Sequence, residues 1–106
     1  MSRLYPFMEL DTVYARNHQV VSRRIAGELI LVPIRQSVAD LEALYVPNEV
    51  GARVYELIDG TRTVGDIVGA IVAEFEVTPE TAEADVREFV AQLLEIQGIQ
   101  EISASR

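Results

Sequence analysis

Residues 44–60 read LYVPNEVGARVYELIDG, and this stretch decides the architecture because an extended segment gives way in it to a helix with both ends marked. Tyr45 and Val46 are residue types that favour strands. Pro47 breaks the extended run, and Asn48 suits a helix N-cap, where its side-chain oxygen can accept from a free amide of the first turn. The spacing predicts a helix from Glu49 to about Ile58. Val50, Val54, Leu57 and Ile58 fall on one face at helical period, which makes a stripe to be buried. Asp59 and Gly60 end it, since glycine tolerates the left-handed conformation that closes many helices.

Working toward the C-terminus, Thr63 offers a second N-cap with Asp66 three residues on. Val64, Ile67, Val68, Ile71, Val72 and Phe75 then follow the 3.6-residue period. Gly65 and Gly69 share a face of this helix, which predicts close packing of another element there and costs about 1 kcal/mol each relative to alanine. A third helix opens at Thr78 with Pro79 in the first turn, where a missing amide proton does no harm. It runs to about Gln97 on a stripe of Ala82, Val86, Phe89, Val90, Leu93 and Ile96, with Leu94 widening it and Gly98 as the closing residue.

Toward the N-terminus, Val20, Val21 and Ile25 lead to a turn at Ala26 and Gly27, followed by the apolar run Leu29 to Val32. This pattern predicts a hairpin, with Pro33 at the end of its second strand. Arg35 to Asp40 is a polar connector, and Leu41 to Val46 reads as a short third strand at an edge. Residues 1–18 show no period and are expected to be an irregular arm. Residues 19–100 form the domain, and residues 101–106 a C-terminal tail. The fold class is therefore α+β, a three-stranded antiparallel sheet followed by three α-helices.

Composition removes most chemistry. The 106 residues contain no cysteine, and all nine basic residues are arginines. Disulfides, thiolate metal sites, cysteine nucleophiles, Schiff-base lysines and a phosphate-loop lysine are thereby excluded. His18 is the sole histidine, so no His-rich metal centre can be built in one chain. Ser2, Ser22, Ser37, Ser103 and Ser105 lack the glycines of a nucleophile elbow. On a strand, His18 and Ser22 would stand roughly 13 Å apart at the backbone. Glu83, Asp85 and Glu88 are paired carboxylates, but nothing in the sequence supplies the cleft and partner a general acid or base needs. The reading is a non-enzyme with no catalytic residue, no cofactor and no metal.

The net charge of −8 is unevenly spread. Residues 1–39 hold five arginines against three acids, and residues 40–106 hold four arginines against fourteen acids. The third helix carries Glu80, Glu83, Asp85, Glu88 and Glu95 against Arg87, the reverse of what phosphate contacts require, which argues against nucleic acid. No apolar run is long enough to span a bilayer and no secretory signal is evident, so the expectation is a cytoplasmic protein with no membrane contact.

The run from Leu44 to Gly60, then Arg62-Thr63-Val64 and Asp66-Ile67, closely resembles the PqqD family. Val20-Val21-Ser22-Arg23 and Gly27-Glu28 resemble that family's first hairpin, and Asp85-Val86 through Phe89 to Gly98-Ile99 its last helix. Pro47 stands where a leucine is common. The resemblance implies a winged-helix-like fold and a role in capturing the leader of a ribosomally made precursor peptide by β-strand addition and presenting it to a modifying enzyme, a radical S-adenosylmethionine enzyme or another maturation enzyme. It implies that Leu41, Ala43, Leu44, Tyr45 and Val46 supply the strand edge, that Val86, Val90 and Leu94 line the groove, and that Arg87 pairs with an acidic leader residue. An unpaired strand edge beside an apolar helix face is itself a template for strand addition, and it permits a homodimer too. The alternative is a structural or regulatory protein–protein interaction module of the same fold, with winged-helix DNA binding third.

Overall fold

Ala26 and Gly27 both take positive φ, 53° and 85°, the requirement of a two-residue turn whose twist matches that of the strands it joins. The turn connects β2 (Val20–Ile25) to β3 (Glu28–Pro33) in the register Val21↔Val32 and Ile25↔Glu28. The computed structural model describes residues 9–34 and 45–102. Within them β1 (Val13–Arg16) precedes the hairpin, and α1 (Glu49–Leu57), α2 (Val64–Phe75), α3 (Pro79–Glu95) and β4 (Ile99–Ile102) follow it. Strand alternation turns Leu29, Leu31 and Pro33 into the core, against α-helical Val54, Ile71, Val86, Val90 and Leu93. The opposite face of the hairpin leaves Val21 and Ile25 exposed.

The expected three-stranded sheet is not what forms among the described residues. There are two two-stranded antiparallel sheets, β2–β3 and β1–β4. Of the strand read at Leu41 to Val46, only Tyr45 and Val46 are described; Leu41, Ala43 and Leu44 lie outside the described residues. Tyr45 makes one antiparallel bridge to β3, its amide donating to the Leu31 carbonyl (3.0 Å) and its carbonyl accepting from the Leu31 amide (2.8 Å). Hydrogen-bonded pairs recur every second residue in an antiparallel ladder. In this register the next such positions are Pro33 on one side and Pro47 on the other, and neither has an amide to donate. Among the described residues this pairing is one reciprocal pair.

The second sheet was invisible in the sequence. Residues 13–16, expected in an irregular arm, pair antiparallel with residues 99–102, whose end was expected in a frayed tail. The arm also runs along the α1–α2 connection. Gly60 donates to the Tyr14 carbonyl (3.0 Å), Val64 to Thr12 (2.9 Å) and Gly65 to Leu10 (2.7 Å). Arg16 donates from Nε to the Ile58 carbonyl (3.0 Å) and holds its guanidinium 5.2 Å from the Tyr55 ring centre.

The helices begin as their caps predict. Asn48 accepts from the Gly51 amide, Thr63 and Asp66 form a reciprocal capping box, and Thr78 accepts from the Thr81 amide. The end of α3 differs in detail from expectation. The left-handed residue is Gln97 (φ 62°) rather than Gly98, and Gly98 and Gln97 donate to Leu93 and Leu94 in a Schellman closure. Among the described residues, no helix is long and apolar enough to cross a membrane.

The two glycines of α2 separate. A Cβ on Gly65 would stand 3.2 Å from the Leu10 carbonyl oxygen, so this position does serve close packing, whereas Gly69 is exposed with nothing within 4 Å. Gly69→Ala is therefore expected to raise unfolding stability by about 1 kcal/mol, the helix-propensity difference. Gly65→Ala should give a smaller gain or a loss, because the N-terminal backbone must move. Denaturant melts of the two variants check this, and equal gains would contradict the packing role of Gly65.

Candidate functional site

The Leu31 bridge fixes where Tyr45 stands, and Tyr45 in turn meets α3. Its ring stacks on Phe89 with centroids 5.7 Å apart and planes at 29°, and its hydroxyl donates to Oε1 of Gln92. Pro47 and Asn48 then turn the chain into α1. Asn48 Oδ1 accepts from Gly51 N at 2.8 Å, which sets the first turn so that Gly51 faces α3. A Cβ at Gly51 would lie 2.8 Å from Phe89 Cε1 and 2.9 Å from Pro47 Cβ, so only glycine admits the Phe89 ring here. Between the 45–51 segment and α3 lies an open cleft of about 440 Å³. Its near wall is Tyr45, Val46, Pro47 and Val50, and its far wall is Asp85, Glu88, Phe89 and Gln92. Those four α3 residues are spaced i, i+3, i+4, i+7, one face of the helix.

Asp85 and Glu88 are exposed, and among the described residues neither makes a hydrogen bond or an ion pair. The neighbouring arginine of the helix, Arg87, pairs with Glu83 one turn back at 2.8 Å. Burial raises the Tyr45 phenol above its ordinary pKa, and the Glu88 carboxylate pushes it the same way. The phenol stays neutral and keeps donating to Gln92 well into the alkaline range.

A second hollow, of about 470 Å³, lies between the hairpin turn and α1, and both arginines that line it are paired with carboxylates. Arg53 pairs with Glu74 at 2.8 Å and with Glu56 at 3.2 Å, and Arg24 also reaches Glu56. These hydrogen bonds hold the Arg53 guanidinium above its ordinary pKa and the Glu74 carboxyl below its own. Among the described residues no three His, Asp or Glu side chains gather in a way that could hold a metal ion.

The residues singled out from the sequence divide into three groups. Tyr45, half-buried, and Val46, exposed, line the cleft. Leu41, Ala43 and Leu44 lie outside the described residues. Val86 and Val90 are fully buried in the core, so they support α3 from beneath and do not line a surface groove; Leu94 is exposed but is not part of the cleft wall, and Arg87 turns to Glu83. The helix face expected to line a groove lies one residue along from the face that lines this cleft, about 100° of rotation. The signal that finds Asp85, Glu88, Phe89 and Gln92 is the polar flank of the apolar stripe: a large aromatic with polar neighbours one turn to either side marks a helix edge rather than its buried centre.

Comparison with known proteins gives the following. The family model for coenzyme PQQ synthesis protein D (PqqD) matches residues 28–97. No curated protein matches the sequence. Among solved structures, TbiB1 in complex with the TbiA(beta) leader peptide is similar, with a TM-score of 0.67 at 25% identity over 87% of this chain and 99% of that one.

Two outcomes follow from the geometry. Gly51→Ala should destabilise the fold by about 1–3 kcal/mol through overpacking against Phe89, and should alter the near-ultraviolet signal of the Tyr45–Phe89 pair. An unchanged melt would mean that Phe89 has room to retreat. The Tyr45 phenol has a raised folded pKa, so its contribution is intact below the ordinary tyrosine value and is lost as pH rises through the folded value. Stability should fall above about pH 10, the ordinary tyrosine value, and Tyr45→Phe should make that fall shallower. Denaturation at stepped pH measures it; an identical alkaline slope in the variant would contradict the assignment.

Proposed function

This chain belongs to the PqqD family, and from that membership we propose that it is a non-catalytic adaptor that binds the leader of a ribosomally made precursor peptide by strand addition and presents it to a modifying enzyme, a radical S-adenosylmethionine enzyme being the expected type. The observation that carries the reading is the orientation of the chain at the cleft. Tyr45 turns both of its backbone groups to Leu31. Strand alternation then directs the amide and carbonyl of Val46 the other way, toward an open edge beside the cleft. A peptide laid on that edge would place alternate side chains between Tyr45 and Phe89 on one side and the Asp85–Gln92 face of α3 on the other, the arrangement of backbone capture with side-chain selection. The leader peptide in the TbiB1 complex supports the same class of ligand, since that protein spans nearly the same fold. In this reading the contact residues are Tyr45, Val46, Phe89 and Gln92, with Asp85 and Glu88 at the rim, and the edge extends through Leu41, Ala43 and Leu44.

The alternative, a protein–protein interaction module that has kept the fold, draws on a different surface. The outer face of the hairpin exposes Val21 at 40% and Ile25 at 55%. Isothermal titration with the precursor peptide encoded beside the gene separates the two. Saturable binding to the folded protein is expected, weakened at least tenfold by Val46→Asp and unaffected by Val21→Asp. Binding lost with Val21→Asp but kept with Val46→Asp, or no binding at all, would sink the leader-capture reading.

A further inference from the structure

We propose that the peptide segment seated in this cleft carries a Lys or Arg two positions from an apolar anchor residue, with Asp85 and Glu88 as the residues that select the cation. The inference rests on the peptide-capture reading and adds the chemistry of the ligand. The cleft has an apolar floor in Phe89, Val50 and Pro47, and at the α3 rim two exposed carboxylates that no described residue partners. Five of the six described arginines are engaged with other groups, and the sixth, Arg23 on β2, makes no ion pair with either carboxylate. Arg24 and Arg53 are held by Glu56 and Glu74, Arg62 by Asp59, Arg16 by the end of α1, and Arg87 by Glu83. The hydroxyl of Tyr45 already feels Glu88 across the cleft, so that carboxylate faces the space a ligand enters.

Spacing converts this into a sequence rule. Asp85 and Phe89 are four residues apart on one helix face, so their side chains start about 6 Å apart along α3. Side chains on one face of an extended peptide repeat every second residue, at about 6.8 Å. A peptide whose apolar residue enters over Phe89 therefore brings its next same-face residue level with Asp85, with Glu88 beside both. An acidic residue there would meet two carboxylates of like charge in a partly desolvated cleft. A cation would complete two charge-assisted pairs.

The test uses the full chain, immobilised, and a phage-displayed library of random twelve-residue peptides. Expected is enrichment of peptides with Lys or Arg two positions from an aliphatic or aromatic residue. Selection on the Asp85→Asn/Glu88→Gln double variant should lose the cation while keeping the apolar anchor. A fluorescein-labelled peptide from the first selection should bind the double variant about threefold to tenfold more weakly by anisotropy, two partly exposed ion pairs being at stake. That difference should shrink as salt is raised. Both carboxylates are exposed, so the variant is expected to melt as the parent does. Enriched peptides that are neutral or acidic, or a cation preference that survives the double substitution, would overturn the charge rule while leaving peptide capture standing, provided Val46→Asp abolishes their binding. No enrichment on either protein would overturn capture and the rule together.

Discussion

One reciprocal pair of backbone hydrogen bonds, between Leu31 and Tyr45, joins the hairpin to the helical half at the cleft. Leu31 is fully buried, so its amide and carbonyl cannot fall back on water, and leaving them unpaired would cost about 1–3 kcal/mol apiece. Once that pair forms, Tyr45 is committed in direction. Its ring meets Phe89, a contact of the kind worth about 0.5–1.5 kcal/mol beyond burial, and its hydroxyl reaches Gln92. Gly51 is the complementary condition, because any side chain there would occupy the space of the Phe89 ring. Three elements thus meet at one point without a continuous sheet between them.

What keeps α3 at the right depth is the rest of the framework. β4 emerges directly from the Schellman closure of α3 and is tied to β1, while carbonyls of β1 and of the segment before it accept from the amides of Gly60, Val64 and Gly65 at the α1–α2 connection. The Arg16 guanidinium adds a bond to Ile58 at the end of α1, where a cation complements the helix dipole. Asp59 tightens the same connection by accepting from the Thr61 and Arg62 amides and the Arg62 guanidinium, bonds that draw its pKa down to about 2. Its contribution is present above the ordinary carboxylate range and is lost as pH falls toward that value. The segment around β1 and strand β4 therefore hold the finish of α1, the start of α2 and the finish of α3 in place.

The helices were legible because their information is local. Asn48, Thr63-Asp66 and Thr78-Pro79 each specify a start within four residues, and the apolar period confirms the body. The sheets were less so. β1 and β4 have four residues each, too few to show alternation, and their pairing joins positions more than eighty residues apart, which no window of sequence contains. The prolines that stop the ladder were visible, but their effect depends on a register fixed only by the Leu31 bridge. Tyr45 and Val46, expected at an edge, stand beside the cleft. The α3 residues that line the cleft differ by one position from the apolar stripe, because such a stripe marks what a helix buries. Val86 and Val90 satisfied that pattern by being core, while the other cleft-lining residues of α3, Asp85, Glu88 and Gln92, are polar and do not register as a stripe at all.

Those prolines also bear on how selectivity can arise. A long free edge would hold a captured strand mainly through main-chain bonds, which are indifferent to sequence, and would equally invite another copy of the chain. Pro33 and Pro47 stand at the next hydrogen-bonding positions of the bridge register, and neither has an amide to donate to a ladder with the hairpin. On the proposed reading, discrimination comes from side chains entering the cleft over Phe89 and from the carboxylates at its rim. The concentration of negative charge on the helical half, unfavourable for phosphate backbones, becomes in that setting a filter that acts where backbone pairing cannot.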